Sequence, residues 1–423
     1  MGVIFSLARR KDKKAEAAAK VEQQKIEQLC EMFPMLDKDT LTTVLDANEG
    51  DLDKTMEMFM PINPATKEEH QKRPASRAGA EADDLQSPRS RPAVSTVHVE
   101  ELITWASSSD ADMQYQAARS LADLAMTQDQ RVCILQAGAV RHLVALLSAP
   151  TVEVQLCALI AVANLALEDQ GQAQLHQEGA IAPVVLLTSS SDKSMQCHAA
   201  RALANLAFCY EANEVGIVEA GGLVPLLRLV ETSDVATQQE AVAALANLAR
   251  NPSNQRKIVK CGALIPLSAA LRSRDPELLR QGARCLANIS LNKENKHQLI
   301  DSKIGTVLIT ALANENTDIQ RLVAMALANL AAYEPLQLQL VSDGVLEPLN
   351  RLLTSGNEDV ELQAARCLAS LSQHEENKPK IARHVGISNF IQLARNRSAD
   401  HQICAATCLA NLSTVRGISA SWG

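Results

Sequence analysis

The sequence predicts an all-α protein: a right-handed superhelix of stacked helices (a solenoid), preceded by a small three-helix bundle and a disordered linker. Hydrophobic residues make up 47% of the 423 residues and aromatic residues only 2%, so small aliphatic side chains must form the core. The tetrapeptide Ala-Asn-Leu-Ala, with close variants, recurs at an almost constant spacing over most of the chain. A short acidic segment and a proline-containing segment precede these repeats.

The first element is a basic tail, residues 1–20. It begins Met-Gly-Val-Ile-Phe-Ser, which fits the pattern for N-myristoylation of Gly2, and six Lys and Arg follow against two acids. One acyl chain alone binds a membrane marginally, whereas basic residues near an anionic leaflet add about 1 kcal/mol each. We therefore expect a cytoplasmic protein held peripherally on an anionic membrane surface. The alternative is a helix-prone basic tail that carries no lipid.

Residues 21–62 form a small module with ten Asp and Glu against three Lys, and their pattern predicts three short helices. The Met-Phe-Pro run and the Asn-Glu-Gly-Asp-Leu run before the last helix resemble the CUE branch of ubiquitin-binding domains. The resemblance implies an apolar ubiquitin-binding patch, formed by Met32, Phe33, Pro34, Phe59 and Met60. The last two residues replace the Leu-Leu pair of that family. The alternative is that these side chains only form the core of a helical bundle.

A linker, residues 63–96, separates this module from the repeats. It contains four prolines, charges of both signs and few large apolar residues, a composition typical of a flexible segment.

The repeats occupy residues 97–414, and a short tail, residues 415–423, follows. Successive repeats are 41 residues apart, with one spacing of 42, and a second landmark follows the same period: Gly138, Gly179, Gly221, Gly262 and Gly344. The sequence pattern of each unit predicts three helices, with a glycine at a corner where the backbone requires a positive φ. One unit cannot bury its own apolar face, so the units must stack.

These motifs resemble the armadillo repeat family, with one partial unit of two helices and seven full units. HEAT repeats are the nearest competitor, but they usually lack the asparagine. Lys303 and Val385 stand where two corner glycines are expected, and the nearby Gly305 and Gly386 suggest locally shifted turns.

The resemblance implies that the long helices line a concave groove in which an asparagine ladder holds the backbone of an extended peptide. The ladder consists of Asn164, Asn205, Asn247, Asn288, Asn329 and Asn411, and Asp123 and Ser370 interrupt it. A carboxamide can donate and accept, which matches a peptide group. The alternative is that each asparagine satisfies backbone groups between repeats.

Arginines occur one or two turns before the ladder positions, on the same helix face: Arg119, Arg201, Arg280, Arg284, Arg321 and Arg366. Import receptors of the armadillo class carry Trp there, and this chain has none at these positions. Because guanidinium groups bind carboxylate and phosphate in a bidentate manner, we expect an acidic or phosphorylated peptide in the groove. The alternative is pairing with nearby acids such as Glu240.

Composition and motifs exclude several other classes. No apolar run is long enough for a transmembrane helix, and the net charge of −8 does not favour nucleic acid. We find no phosphate-binding loop, zinc signature or nucleophile motif, so we expect neither an enzyme nor a cofactor or metal. Cys404 and Cys408 are interpreted as core thiols.

We therefore expect a non-catalytic, membrane-associated adaptor or scaffold with protein partners: an extended acidic or phosphorylated peptide and ubiquitin or a ubiquitinated protein. Two alternatives remain open. One is a catenin-type junction or signalling scaffold that does not bind ubiquitin. The other is the substrate-recognition subunit of a ubiquitin ligase.

Overall fold

The computed structural model describes residues 96–396 and 398–414, and all regular elements in these ranges are helices. The predicted all-α solenoid is confirmed. The chain divides into two units, Met1–Arg91 and Pro92–Gly423, and all described helices belong to the second. The predictions for the basic tail, the acidic module, most of the linker and the tail at 415–423 lie outside the described residues.

The helices fall into one unit of two helices and seven units of three. Unit 1 contains α1 (Thr96–Ala106) and α2 (Ala111–Leu124). Units 2–4 contain α3 (Gln128–Gln136), α4 (Val140–Leu146), α5 (Val152–Leu165), α6 (Asp169–Gln177), α7 (Ile181–Leu187), α8 (Lys193–Leu206), α9 (Glu211–Glu219), α10 (Leu223–Val230) and α11 (Val235–Leu248). Units 5–8 contain α12 (Pro252–Lys260), α13 (Leu264–Leu271), α14 (Pro276–Ile289), α15 (Lys296–Asp301), α16 (Ile304–Ala311), α17 (Thr317–Ala331), α18 (Glu334–Ser342), α19 (Leu346–Leu352), α20 (Glu358–Leu371), α21 (Lys378–His384), α22 (Ile387–Ala394) and α23 (Ala399–Ser413). A 3₁₀ turn, Lys293–Asn295, precedes α15.

The last helix of each unit is the longest, and in most units a side-chain cap sets its start. In six of the eight long helices an Asp or Asn accepts a hydrogen bond from a backbone N–H of the first turn: Asp110, Asp192, Asp234, Asp275, Asn316 and Asn357. Such caps satisfy N–H groups that have no partner within the helix. The caps therefore define where these six long helices begin.

The corner between the first and second helices requires a left-handed residue. The five predicted glycines adopt φ between 73° and 91°, which confirms their role. In unit 6, however, Lys303 itself adopts φ 54°, so the shifted turn expected near Gly305 does not occur. In unit 8 the left-handed residue is Gly386, φ 81°, one position later than in the other units, as expected.

Small residues on the long helices bring neighbouring units close together. Ala199, Ala200, Ala202 and Ala204 on α8 are at most 2% exposed, and α8 packs against α5 and α11. The long helices therefore stand side by side as one continuous layer. Within the described ranges, no helix combines the length and apolar character needed to cross a bilayer.

Candidate functional site

The candidate site is the surface of the long helices that carries the asparagine ladder and the arginines. Each long helix contacts the next along the stack, so equivalent positions in successive units form rows. We call this surface, defined by the six ladder asparagines and the six arginines named above, the long-helix surface.

The interior ladder asparagines bridge adjacent long helices. The Nδ2 group donates to a backbone oxygen of the preceding long helix in four cases: Asn205 to Ala163 (2.8 Å), Asn247 to Ala204 (2.7 Å), Asn288 to Ala246 (3.1 Å) and Asn329 to Ala287 (3.1 Å). These four side chains are between 2% and 8% exposed. Each therefore satisfies a buried carbonyl group at a junction between two units.

The outer ladder asparagines make different contacts. Asn164 Nδ2 lies 3.6 Å from the sulfur of Met126, and Asn411 Nδ2 donates to the hydroxyl of Ser372 over 3.0 Å. Both are more exposed than the interior four. The interior asparagines thus have a structural role that the sequence left as an alternative, and peptide binding by the ladder stays a prediction.

Three of the six arginines lie beside carboxylates. Arg201 pairs with Glu240 (2.7 Å) across two units, Arg280 pairs with Glu277 (2.7 Å), and Arg321 pairs with Asp318 (2.8 Å). Pairing with nearby acids, an alternative from the sequence, therefore occurs at these three positions.

The other three arginines donate to neutral groups. The hydrogen bonds run from Arg119 to the Tyr115 hydroxyl (3.0 Å), from Arg284 to Asn247 Oδ1 (2.8 Å) and from Arg366 to Gln363 Oε1 (3.0 Å). All six arginines are therefore held by hydrogen bonds or ion pairs within the protein, and the long-helix surface is not a uniformly basic strip.

The protonation states of two side chains near the arginines follow from these contacts. Burial pushes the pKa of Glu277 upward, but the hydrogen bonds from Arg280 and Gln281 and the positive charges of Arg280 and Arg284 together outweigh burial, and the pKa is lowered. Glu277 therefore remains a carboxylate that competes for its arginine. Burial, with the positive charge of Arg201, lowers the pKa of His198 to about 4, so this side chain is neutral near pH 7.

The cysteines near this surface are unreactive. Burial raises the pKa of Cys157 and Cys197, and it raises the pKa of Cys404 to about 11, so all three are thiols near neutral pH. Cys408 is fully buried. In residues 96–396 and 398–414, no group of three or more His, Cys, Asp or Glu could hold a metal ion.

A second row of buried asparagines, on the first helices, was missed by sequence reasoning. Asn213, Asn254, Asn295 and Asn377 are 0% exposed, and each donates to two carbonyl groups of the preceding unit, one on its first helix and one on its long helix. Their spacing of 41 residues, or twice that, was the signal that could have identified them. These asparagines therefore hydrogen-bond successive units to one another in addition to the ladder.

Comparison with known proteins identifies the repeats. Residues 182–345 match the family model "Armadillo-like". An engineered protein of known crystal structure is 33% identical, with a TM-score of 0.72, over 76% of this chain and 79% of that chain. A designed armadillo repeat protein is 28% identical, with a TM-score of 0.53, over 55% of this chain and 99% of that chain. The chain is an armadillo-repeat protein.

Two further comparisons concern ligands and the N-terminus. Another designed armadillo repeat protein, 25% identical with a TM-score of 0.52 over 55% of this chain and 99% of that chain, was solved in complex with the peptide (KR)4. Residues 22–60 match the family model "CUE domain", so this armadillo-repeat protein carries a CUE domain at its N-terminus. A search of curated protein sequences finds no match.

Proposed function

We propose that this armadillo-repeat protein is a non-catalytic, membrane-associated adaptor. Its CUE domain binds ubiquitin or a ubiquitinated protein, and its long-helix surface binds an extended peptide of a second partner. The observation that carries the proposal is the presence of both binding modules, residues 22–60 and the stacked repeats, in one chain. An adaptor needs two such independent surfaces and no catalytic group.

Ubiquitin binding is assigned to Met32, Phe33, Pro34, Phe59 and Met60. Titrating isotope-labelled ubiquitin with the full chain is expected to give saturable chemical-shift changes. Phe33→Ala should abolish them, because the variant removes the largest apolar side chain of the Met-Phe-Pro run. Met35→Ala, just outside that run, is the matched control and should bind normally. Unchanged binding by Phe33→Ala would contradict the assignment, and no binding at all would leave a scaffold of the catenin type.

The peptide ligand is assigned acidic or phosphorylated character because arginine is the charged residue that recurs at the positions before the ladder. The ion pairs in the structure indicate which substitution tests this assignment. Glu240 neutralises Arg201 in the structure, so Glu240→Gln releases a guanidinium for a ligand carboxylate. We expect Glu240→Gln to bind a fluorescent poly-Glu peptide several-fold more tightly. The double variant Arg201→Glu, Arg284→Glu should abolish that binding.

A matched control separates this effect from bulk charge. Glu294 forms a 2.7 Å ion pair with Arg256, and neither residue lies on a long helix. Glu294→Gln therefore releases an arginine outside the long-helix surface and changes the net charge by the same amount as Glu240→Gln. The control should leave peptide affinity unchanged. A (KR)4 peptide that binds more tightly than poly-Glu would refute the acidic ligand while leaving the adaptor function intact.

Membrane association is assigned to Gly2 together with the basic residues at positions 9–20. Gly2→Ala blocks acylation but keeps the positive charge, and its fractionation against the unmodified sequence in cells tests the anchor. We expect the variant to move to the soluble fraction, because a basic cluster without a lipid binds weakly. A variant that stays on membranes would overturn the lipid assignment.

A further inference from the structure

At the junction between units 5 and 6, two arginines from adjacent long helices meet at one carboxylate. Arg321 donates to Asp318 Oδ1 over 2.8 Å within α17, and Nη1 of Arg280, on α14, lies 4.0 Å from the other oxygen, Oδ2. The helices α14 and α17 pack side by side. We call Arg280, Arg321 and Asp318 the junction cluster.

The arginines of the junction cluster are particular to these two units. Arg280 and Arg321 stand two turns before the ladder position, and no other unit has a basic residue there. The residues at this position in the other six units are Tyr115, Leu156, Cys197, Gln239, Leu362 and Ile403. The long-helix surface therefore has one junction at which arginines of two successive units face the same anion.

Glu277 holds Arg280 in place. Its carboxylate accepts from Arg280 Nε over 2.9 Å and from Arg280 Nη2 over 2.7 Å, and it also accepts from the amide of Gln281 over 2.7 Å. Two parallel bonds from one guanidinium group fix its plane. The remaining nitrogen, Nη1, is the atom that faces Asp318.

Asp318 fits the space between the two arginines incompletely. Its distance of 4.0 Å from Arg280 is too long for a hydrogen bond, so on this side the contact is only an ion pair. The side chain of Asp318 is 47% exposed, whereas those of Arg280 and Arg321 are 29% and 17% exposed. A half-exposed carboxylate can turn into water at little cost. Asp318 thus occupies a position that a better-fitting anion can take.

A phosphoryl group fits this position better than a ligand carboxylate does. Asp318 shares a helix with Arg321, so it competes at a high effective concentration, and a second carboxylate gains nothing by displacing it. A phosphoryl group carries a charge of about −1.5 to −2 near pH 7 and has three acceptor oxygens, so it can accept from both guanidinium groups at once. Arg284, one turn after Arg280, adds a third positive charge on the same helix face.

The neighbouring acids indicate which kind of molecule carries the phosphate. Glu277 lies beside Arg280, and Asp359 has the position on α20 that Asp318 has on α17. A membrane or a nucleic acid would place a continuous layer of negative charge against these acids. A peptide can present one phosphoryl group between neutral residues, and equivalent positions along the stacked long helices suit an extended chain.

We propose that the junction cluster binds the phosphoryl group of a phosphorylated residue in the peptide ligand, and that Asp318 occupies this position until the ligand displaces it. The inference rests on the proposed binding of a peptide by the long-helix surface. It adds the place at which phosphorylation of the ligand is recognised. It also makes Asp318 an internal competitor that limits the binding of unphosphorylated peptides.

Fluorescence anisotropy with the full chain tests the recognition of phosphate. The probe is a short peptide of alternating Ala and Ser with one central phosphoserine, and the reference peptide carries glutamate at that position. We expect the phosphoserine peptide to bind at least about tenfold more tightly, the ratio that one additional charge-assisted hydrogen bond provides. Equal binding of the two peptides overturns this inference but leaves peptide binding intact. A chain that binds neither these peptides nor poly-Glu overturns both proposals.

Asp318→Asn tests the internal competitor. The variant keeps the size of the side chain and removes its charge, so it should bind the phosphoserine peptide several-fold more tightly than the parent. Asp359→Asn is the matched control, because it changes the net charge equally at the same helix position, where Leu362 replaces the arginine. Misfolding cannot produce a gain in affinity. If Asp318→Asn binds no more tightly than Asp359→Asn, the proposed competition is refuted.

Arg321→Gln tests the site itself. It should remove the preference for phosphoserine over glutamate, whereas Arg351→Gln, at an exposed position on α19, should retain it. Circular dichroism checks that both variants are folded. Phosphatidylcholine vesicles containing a phosphorylated phosphatidylinositol test the other source of phosphate. If the chain binds these vesicles but not the phosphoserine peptide, and Arg321→Gln abolishes that binding, the cluster recognises a lipid headgroup and the proposal is overturned.

Discussion

At the residue scale, the interior ladder asparagines show how one side chain can form hydrogen bonds between adjacent units. Asn247 donates to the carbonyl of Ala204 in the preceding long helix and accepts from Arg284 in the following one. It thereby joins three consecutive units. If a buried carbonyl group loses its only side-chain donor, no hydrogen bond offsets the cost of its desolvation. The asparagine side chain therefore contributes to stability whether or not a peptide is bound.

This role predicts a loss of stability for Asn247→Ala. We expect the free energy of unfolding to fall by about 1–3 kcal/mol, because the variant leaves a buried carbonyl group unpaired. Urea denaturation followed by circular dichroism measures the change. Asn164→Ala is the control: its amide faces only the sulfur of Met126, so its effect should be much smaller. Equal stability of Asn247→Ala and the parent would leave peptide binding as the main role of the ladder.

At the element scale, the corner between the first two helices of a unit decides how they pack. Six corners use glycine at positive φ, and unit 6 places Lys303 there at φ 54°. Residues with a side chain pay about 1–2 kcal/mol for the left-handed conformation. The corner of unit 6 therefore carries strain that the other corners avoid.

A glycine in place of Lys303 is expected to relieve that strain. Lys303→Gly should raise the free energy of unfolding by about 0.5–1 kcal/mol, the gain in backbone conformation being partly offset by the greater freedom of glycine in the unfolded chain. Lys303→Ala removes the same charge but keeps the left-handed penalty, so it should not stabilise. If both variants gained equally, the effect would come from the charge and not from the backbone.

At the scale of the whole molecule, stability in a solenoid is a sum over units and their nearest neighbours. The helix α14 lies inside the stack and buries ten of its 14 residues. The helix α23, at the last described unit, buries four of 15. We therefore expect local opening to be much easier at α23.

Native-state hydrogen exchange measures this difference. Amides of Ala399–Ser413 should exchange with a lower opening free energy than amides of Pro276–Ile289, because fewer buried contacts oppose their release. The long helices in between provide an internal reference. Equal protection of α14 and α23 would contradict a nearest-neighbour account of the stability of this chain.

The architecture of the repeats was predictable from the sequence because its causes are local and repeated. The period of 41 residues, the corner glycines and the helix-forming segments between them all follow from backbone preferences within one unit. The CUE domain at residues 22–60 was predictable for a similar reason, because its motif residues lie close together in the chain.

The partners of the long-helix side chains were decided only by the tertiary structure. Arg201 meets Glu240, 39 residues away, and the interior asparagines meet carbonyl groups 42 or 43 residues away. The sequence placed these residues on one face but could not tell whether an arginine would meet a ligand or a neighbouring carboxylate. Contacts between units depend on how far successive helices rotate and approach, and those distances arise only when the units stack.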